Sequence, residues 1–249
     1  MITRECKNIQ EKGYLVKNIN ECKRDLNKLR NSIIKINSTI AKREIISNED
    51  VIKFRAENER LQFQALRLIW NSSAMYSIAS NPFFENFLIK KLNFKCPIHN
   101  YQPLLRCDMP LRVDKQSIFK QHQDFTYNDG SKNSITIWIP LQDTGYSEGA
   151  LNVAEGSHNT NISKDNIFPH NNGIINEQYE FNFKSIPVKF GQAIFFNQKL
   201  VHKSGINTSK NIRYSVLLRF SDLDCDDFAK KGYPILQNTS QNKFVELKD

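Results

Sequence analysis

Ser134-Ile135-Thr136-Ile137-Trp138-Ile139-Pro140-Leu141 decides the fold. Every odd position is isoleucine or leucine. The even positions hold serine, threonine, tryptophan and proline. Strand side chains alternate between faces, so the odd residues form one aliphatic face for packing and Thr136 and Trp138 share the other. Strand-like runs recur on both sides: Gln102 to Arg106 and Ser117 to Asp124 before it, then Ala150 to Ala154, Ile186 to Phe190, Ala193 to Asn197 and Ile212 to Phe220. Asn128-Asp129-Gly130, Gly145, Gly156 and Gly191 punctuate them as turns. Short strands that follow a helical block predict an antiparallel double-sheet jelly roll, mainly β with flanking helices. The Asn-rich stretch from Ser157 to Ser185 reads as one long loop, a lid or a substrate contact.

The helical block fills roughly residues 1–95, with a short strand at Gly13-Tyr14-Leu15-Val16. Ile19, Cys22, Leu26, Leu29, Ile33, Ile36 and Ile40 recur at spacings of three and four, which makes one apolar stripe. Asn20 is placed to cap that helix. The stripe suits a helix docked on the outside of a sheet, and a coiled-coil seam is the other option. A second helix is expected after Ser47, where Asn48, Glu49 and Asp50 fill the first turn, and a third at Asn81-Pro82. The expected organisation is one structural domain: a helical part over 1–95 packed on a core over 96–222, and a polar tail over 223–249.

Composition narrows the classes. The chain is 39% hydrophobic and 24% charged, which sustains a core and argues against wholesale disorder. A net charge of +9 suits an anionic partner, but the Lys and Arg residues are scattered among acids and never form a run of five. Nucleic acid is therefore not the expected partner. The five cysteines are odd in number and contain no Cys-x-x-Cys pair, so neither a disulfide frame nor a structural zinc is expected. No stretch approaches 18 uncharged apolar residues, and Met1-Ile2-Thr3-Arg4-Glu5 lacks an apolar signal core. The expected location is cytoplasmic, as a monomer or homo-oligomer.

His122-Gln123-Asp124 carries the chemistry. On an extended stretch, residues two apart point the same way, so an imidazole and a carboxylate are presented together. A further imidazole completes a set of two histidines and one carboxylate. That set leaves three open positions on an octahedral ion and suits non-haem Fe(II). His202, which follows the apolar run Ala193-Ile194-Phe195-Phe196, is the preferred third member. His99, His158 and His170 read as loop histidines. Arg213 stands eleven residues after His202 at the start of the last strand, where it can clamp a carboxylate bidentately or serve a structural ion pair. Trp138 reads equally as a pocket wall or a core residue.

These segments, taken in order, resemble the phytanoyl-CoA dioxygenase family of Fe(II)/2-oxoglutarate oxygenases. The matching stretches are His122-Gln123-Asp124, Ser134 to Leu141, Gly149-Ala150-Leu151 into Gly156-Ser157-His158, Gly191 to Phe196, and His202-Lys203-Ser204-Gly205-Ile206-Asn207 through Arg213. Glu155 and Gln192 depart from the family's frequent Pro and Asp, both at turns. The resemblance implies a double-stranded β-helix with iron ligands at His122, Asp124 and His202. It also implies that Arg213 and Ser204 hold 2-oxoglutarate and that Trp138 lines its pocket. Arg106 and Asp108 fall on the strand that approaches this pocket in relatives, and Thr136 and Tyr127 are further candidates for its wall.

The implied cofactors and co-substrates are Fe(II), 2-oxoglutarate and O2, and the implied reaction is hydroxylation of an unactivated C–H bond with release of succinate and CO2. Asp124 argues against halogenation, because halogenating relatives lack that carboxylate. The substrate is expected to be a small or carrier-bound organic molecule, with the basic surface leaning toward an anion. Two alternatives stay open. One is a cupin-like metal-dependent isomerase or epimerase, against which the Arg213 clamp argues because such enzymes need no 2-oxoglutarate. The other is a catalytically silent binding protein on the same fold.

Overall fold

The structure, a computed structural model, describes residues 2–114, 119–128, 130–160, 162, 167–168, 174–176 and 179–233. Its helices are α1 (Arg4–Lys12), α2 (Lys23–Ala41), α3 (Asn48–Glu57), α4 (Glu59–Trp70), α5 (Ser73–Ala79), α6 (Pro82–Leu92), α7 (Phe125–Asn128) and α8 (Asp226–Lys230). The strands are β1 (Tyr14–Asn18), β2 (Pro97–Asp108), β3 (Ser134–Pro140), β4 (Leu151–Val153), β5 (Ile167–Phe168), β6 (Ile174–Ile175), β7 (Lys184–Ile186), β8 (Gln192–Asn197), β9 (His202–Lys203) and β10 (Arg213–Asp222).

A five-stranded antiparallel sheet runs β1-β8-β3-β10-β2, and a smaller sheet runs β7-β4-β9. β3 lies in the middle of the large sheet, and its alternation divides two cores. Ile135, Ile137 and Ile139 pack with Phe195, Val216 and Leu218 against the helices, where they meet Leu26, Leu29, Ile33, Met75, Phe84 and Leu88. Trp138, on the other face, packs with Leu151, Val153, Ile194, Phe196 and Leu217 between the two sheets. Each such side chain contributes about 1.5–3 kcal/mol on burial, so this patterning fixes which face each strand turns inward. The fold is a double-stranded β-helix with helices on one side.

Leu26, Leu29 and Ile33 of the stripe helix α2 are buried in the helix-side core, where α2 packs against α4 and α5. Asn20 does not cap it. It begins a short 3-10 turn over Asn20–Cys22 instead. The helix after Ser47 has a capping box between Ser47 and Asp50, then breaks at Asn58, whose side chain caps α4 through Leu61 N–H. At the end of α4, the Trp70 indole donates to Leu105 O at 2.8 Å and ties the helices to β2. The helical third also supplies a strand, because Gly13 closes α1 at φ 84° and turns the chain into β1 at the sheet edge.

Two further expectations need correction. The stretch reaching Asp124 is no strand over its described residues. His122 makes a single antiparallel bridge to His202 on one side and to Ile174 on the other, and Asp124 already leads into α7. Ser117 and Ile118 lie outside the described residues. The long polar loop is also more than a loop. It carries β5 and β6, paired with each other and joined through His122 to β9, so part of it extends the small sheet. His170 lies outside the described residues. Among the described residues, no helix is long and apolar enough to cross a membrane.

Candidate active site

The bridge at His122 builds the centre. His122 N–H donates to His202 O and His202 N–H donates to His122 O, each at 3.0 Å. Residues that exchange both backbone bonds in this way project their side chains on the same face. The two imidazole centroids consequently lie 4.1 Å apart. The chain then turns, with Phe125 N–H bonded to Gln198 O and Asn128 N–H bonded to Asp124 O. This turn aims the Asp124 carboxylate at the rings: Oδ1 lies 3.4 Å from His122 Nε2 and 3.6 Å from His202 Nε2. His122, Asp124 and His202 are all buried, and one ligand atom from each lies within 4.8 Å of the others.

The donor chemistry suits a divalent cation. His122 Nδ1 faces Lys120 O at 2.8 Å and His202 Nδ1 faces Leu200 O at 3.0 Å. A carbonyl can only accept, so Nδ1 carries the proton in each neutral ring and Nε2 presents its lone pair inward. Two lone pairs and a carboxylate aimed at one point repel one another unless a cation lies among them. Burial pushes His202 down to about 3, so its imidazole is neutral near pH 7. Burial works against ionising Asp124, but the Arg219 guanidinium outweighs it and holds the carboxyl well below its usual range.

A cavity of about 320 Å3 opens over this centre, within the usual range for a small-ligand site. Trp138, Leu151, Phe196 and Leu217 give it apolar walls, and Ser204, Arg106, Arg213 and Arg219 give it polar ones. Arg213 is buried near the indole of Trp138, 6.0 Å from the ring centroid. Its Nη1 donates to Gly149 O and Gly205 O, and its Nη2 pairs with Asp108 Oδ2 at 2.9 Å. Arg213 thus both lines the cavity and makes the structural ion pair. Asp108 is not on the cavity wall. It sits behind Arg213 and also binds Arg106 at 2.5 Å. Thr136 likewise reaches the centre from the side, donating to Asp124 Oδ2 at 2.6 Å. Tyr127 lies on α7, and its side chain is outside the described residues.

The remaining described histidines serve the scaffold. His99 Nε2 meets Ala79 O at 3.1 Å and the ring packs on Phe220; His158 Nε2 meets Gln10 O at 3.0 Å. Arg219 escaped the sequence reading. It lines the cavity, and its Nε lies 3.2 Å from Asp124 Oδ2. The available signal was its even spacing from Arg213 along β10, which puts both guanidiniums on the inner face.

Residues 48–215 match the family described as phytanoyl-CoA dioxygenase. The chain belongs to that family. Among curated relatives, a phytanoyl-CoA dioxygenase domain-containing protein 1 homolog of Caenorhabditis elegans is 22% identical over 224 residues, covering 81% of this chain and 77% of the relative. The corresponding protein of Danio rerio is 29% identical over 179 residues, covering 64% of this chain and 61% of its own length. Two solved structures share the fold. SnoN, a non-heme alpha ketoglutarate dependent epimerase from nogalamycin biosynthesis, is 14% identical with a TM-score of 0.57 over 88% of this chain and 80% of its own. EctD from S. alaskensis, solved with 2-oxoglutarate and 5-hydroxyectoine, is 16% identical with a TM-score of 0.55 over 90% of this chain and 77% of its own.

Proposed function

We propose that this chain is an Fe(II)- and 2-oxoglutarate-dependent dioxygenase that hydroxylates an unactivated C–H bond of a small or carrier-bound organic substrate, releasing succinate and CO2. The observation that carries this reading is the convergence of His122, Asp124 and His202 at the floor of a cavity that Arg213 also lines. Iron held by those three residues would supply the oxidative decarboxylation of 2-oxoglutarate coupled to substrate oxidation. The chain's own residues do the rest. The backbone carbonyls of Lys120 and Leu200 fix the tautomers that keep both Nε2 atoms available. Arg213 offers the distal carboxylate of 2-oxoglutarate a guanidinium already oriented by Gly149, Gly205 and Asp108, with Ser204 on the same cavity wall. Trp138, Phe196, Leu151 and Leu217 exclude water from the reacting end.

A second reading is epimerisation. The presence of a co-substrate clamp does not count against it, contrary to the sequence-based expectation, because SnoN bears the name of an alpha ketoglutarate dependent epimerase on this fold. One experiment tests the shared chemistry first. Anaerobic Fe(II) plus 2-oxoglutarate should give the weak visible charge-transfer band of a chelated 2-oxo acid, and His122→Ala and His202→Ala should abolish it while the fold survives. Folded wild-type protein without the band rejects the proposal. Succinate release with candidate substrates, followed by product mass, separates the outcomes: hydroxylation adds one oxygen and epimerisation leaves the mass unchanged.

A further inference from the structure

The two oxygens of Asp124 face different worlds. Oδ1 points at the imidazoles, 3.4 Å and 3.6 Å from their Nε2 atoms. Oδ2 points the other way and accepts from Thr136 Oγ1 at 2.6 Å and from Arg219 Nε at 3.2 Å. These two donors come from one place in the sheet. Thr136 of β3 and Arg219 of β10 are direct cross-strand partners, and such neighbours share a face. Arg219 is itself fixed: it is buried, with its guanidinium over the Tyr101 ring at 5.2 Å from the centroid. A hydroxyl and a charged N–H, both rigid, converge on one carboxylate oxygen.

We infer that Thr136 and Arg219 are positioning residues that hold Asp124 as a one-oxygen metal ligand. The inference rests on the metal-centre reading above and deepens it. A carboxylate can bind a cation through one oxygen or two. A two-histidine, one-carboxylate set leaves three positions on an octahedral ion only when the carboxylate takes one of them. A two-atom chelate of 2-oxoglutarate needs two positions and the reaction needs one more, so a carboxylate that swung to bidentate binding would remove a position the chemistry requires. Holding Oδ2 with a guanidinium and a hydroxyl prevents that swing, since those charge-assisted bonds must break first. The fixed partners also aim Oδ1, and partners of this kind typically account for about 10–100-fold of metal affinity.

Anaerobic titration with Co(II) tests this without turnover. It reports affinity, and the intensity of the visible bands falls as the coordination number rises. Arg219→Met and Thr136→Val should each bind Co(II) about 10–100-fold more weakly, with weaker bands per bound ion. Arg219→Lys, which restores a charged donor, should recover part of both. A residue that only supports the fold would lower the melting temperature and leave affinity and bands alone. Folded Arg219→Met with wild-type affinity and wild-type bands overturns the inference. If Arg219→Met does not fold, Thr136→Val decides in the same way, because valine keeps the volume and loses only the hydroxyl. Wild-type protein that fails to bind Co(II) overturns the metal-centre reading and this inference with it, whereas an intact wild-type site with unaffected variants overturns this inference alone.

Discussion

The carboxylate of Asp108 lies 2.9 Å from Nη2 of Arg213, so the residue proposed to hold the co-substrate is itself held by an acid behind the cavity. Both groups are almost fully buried, and Asp108 has Arg106 as a second partner at 2.5 Å. Burial acts to raise the Asp108 carboxyl, and the two guanidiniums outweigh it and keep it lowered. Breaking a buried pair from one side costs about 3–5 kcal/mol, because the remaining charge loses its compensation. Arg213 keeps its carbonyl acceptors, so the low end applies. Asp108→Asn should lower the melting temperature by about 6–12 °C, at about 2–4 °C per kcal/mol for a chain of this size. A differential scanning measurement showing less than about 2 °C would mean that Asp108 contributes little to orienting Arg213.

Arg213→Gln probes the clamp itself. Asp108 retains Arg106, so the fold should survive better than in the reverse substitution. A hydrogen bond to a charged group is worth about 1.5–3 kcal/mol, and its loss should weaken 2-oxoglutarate binding about 10–150-fold. Co(II) affinity without co-substrate should stay as in the wild type, since Arg213 does not contact the three ligand side chains. Calorimetry of both ligands checks the split. Unchanged 2-oxoglutarate affinity assigns Arg213 to the ion pair alone.

Why the sequence announced some of this and hid the rest follows from how each feature is encoded. β3 and β10 are long strands with one aliphatic face, so alternation exposes Ile135, Ile137 and Ile139 and the inward set beside them. β5 and β6 are two residues long, and two residues carry no period. The co-facial placement of His122 and Asp124 was expected from a strand, yet the structure achieves it through a backbone bridge to His202 and a turn. The outcome matched while its cause did not, because a bridge between residues 80 apart is a tertiary event. The break at Asn58 was hidden inside a stretch that is helical on both sides. Arg219 was hidden by its neighbours: a single charge in Val216-Leu217-Leu218 and Phe220 looks like an edge residue until Asp124 is folded against it.

Gly205 and Gly149 make a second prediction about Arg213. They abut beneath its guanidinium, and their carbonyls are its acceptors. A Cβ on Gly205 would land on the Ala150 carbonyl oxygen and 2.7 Å from the Gly149 carbonyl carbon. These are backbone atoms, so the chain itself must move. Overpacking of this kind costs about 1–3 kcal/mol. Gly205→Ala should therefore lower the melting temperature by about 2–12 °C, and it should weaken 2-oxoglutarate binding because the acceptors that aim Arg213 shift. Equal co-substrate affinity in Gly205→Ala and wild type would separate Arg213 from this backbone support.

His202 makes the metal-free protein acid-sensitive. Burial is the main cause that pushes it down to about 3, against the offsetting pull of Asp124 and the Leu200 carbonyl. The unfolded chain binds a proton near pH 6.5. The folded state prefers the neutral ring, so its stabilisation is complete above pH 6.5 and is lost as the pH falls toward 3. Between pH 6.5 and 5 the loss should be about 2 kcal/mol, or about 4–8 °C in melting temperature. Asp124 moves in the same direction, but its loss begins only as the pH approaches the ordinary carboxylate range from above, so it contributes little between pH 7 and 5. His99 and His158 are also lowered, chiefly by burial, and they stay in place when His202 is replaced. The difference in slope between wild type and His202→Gln therefore isolates His202. The variant should lose stability more slowly from pH 7 to 5, while bound Co(II) should steepen the wild-type curve because protons compete with the metal for the ring. Parallel curves for the two metal-free proteins would mean that His202 is not held neutral by its surroundings.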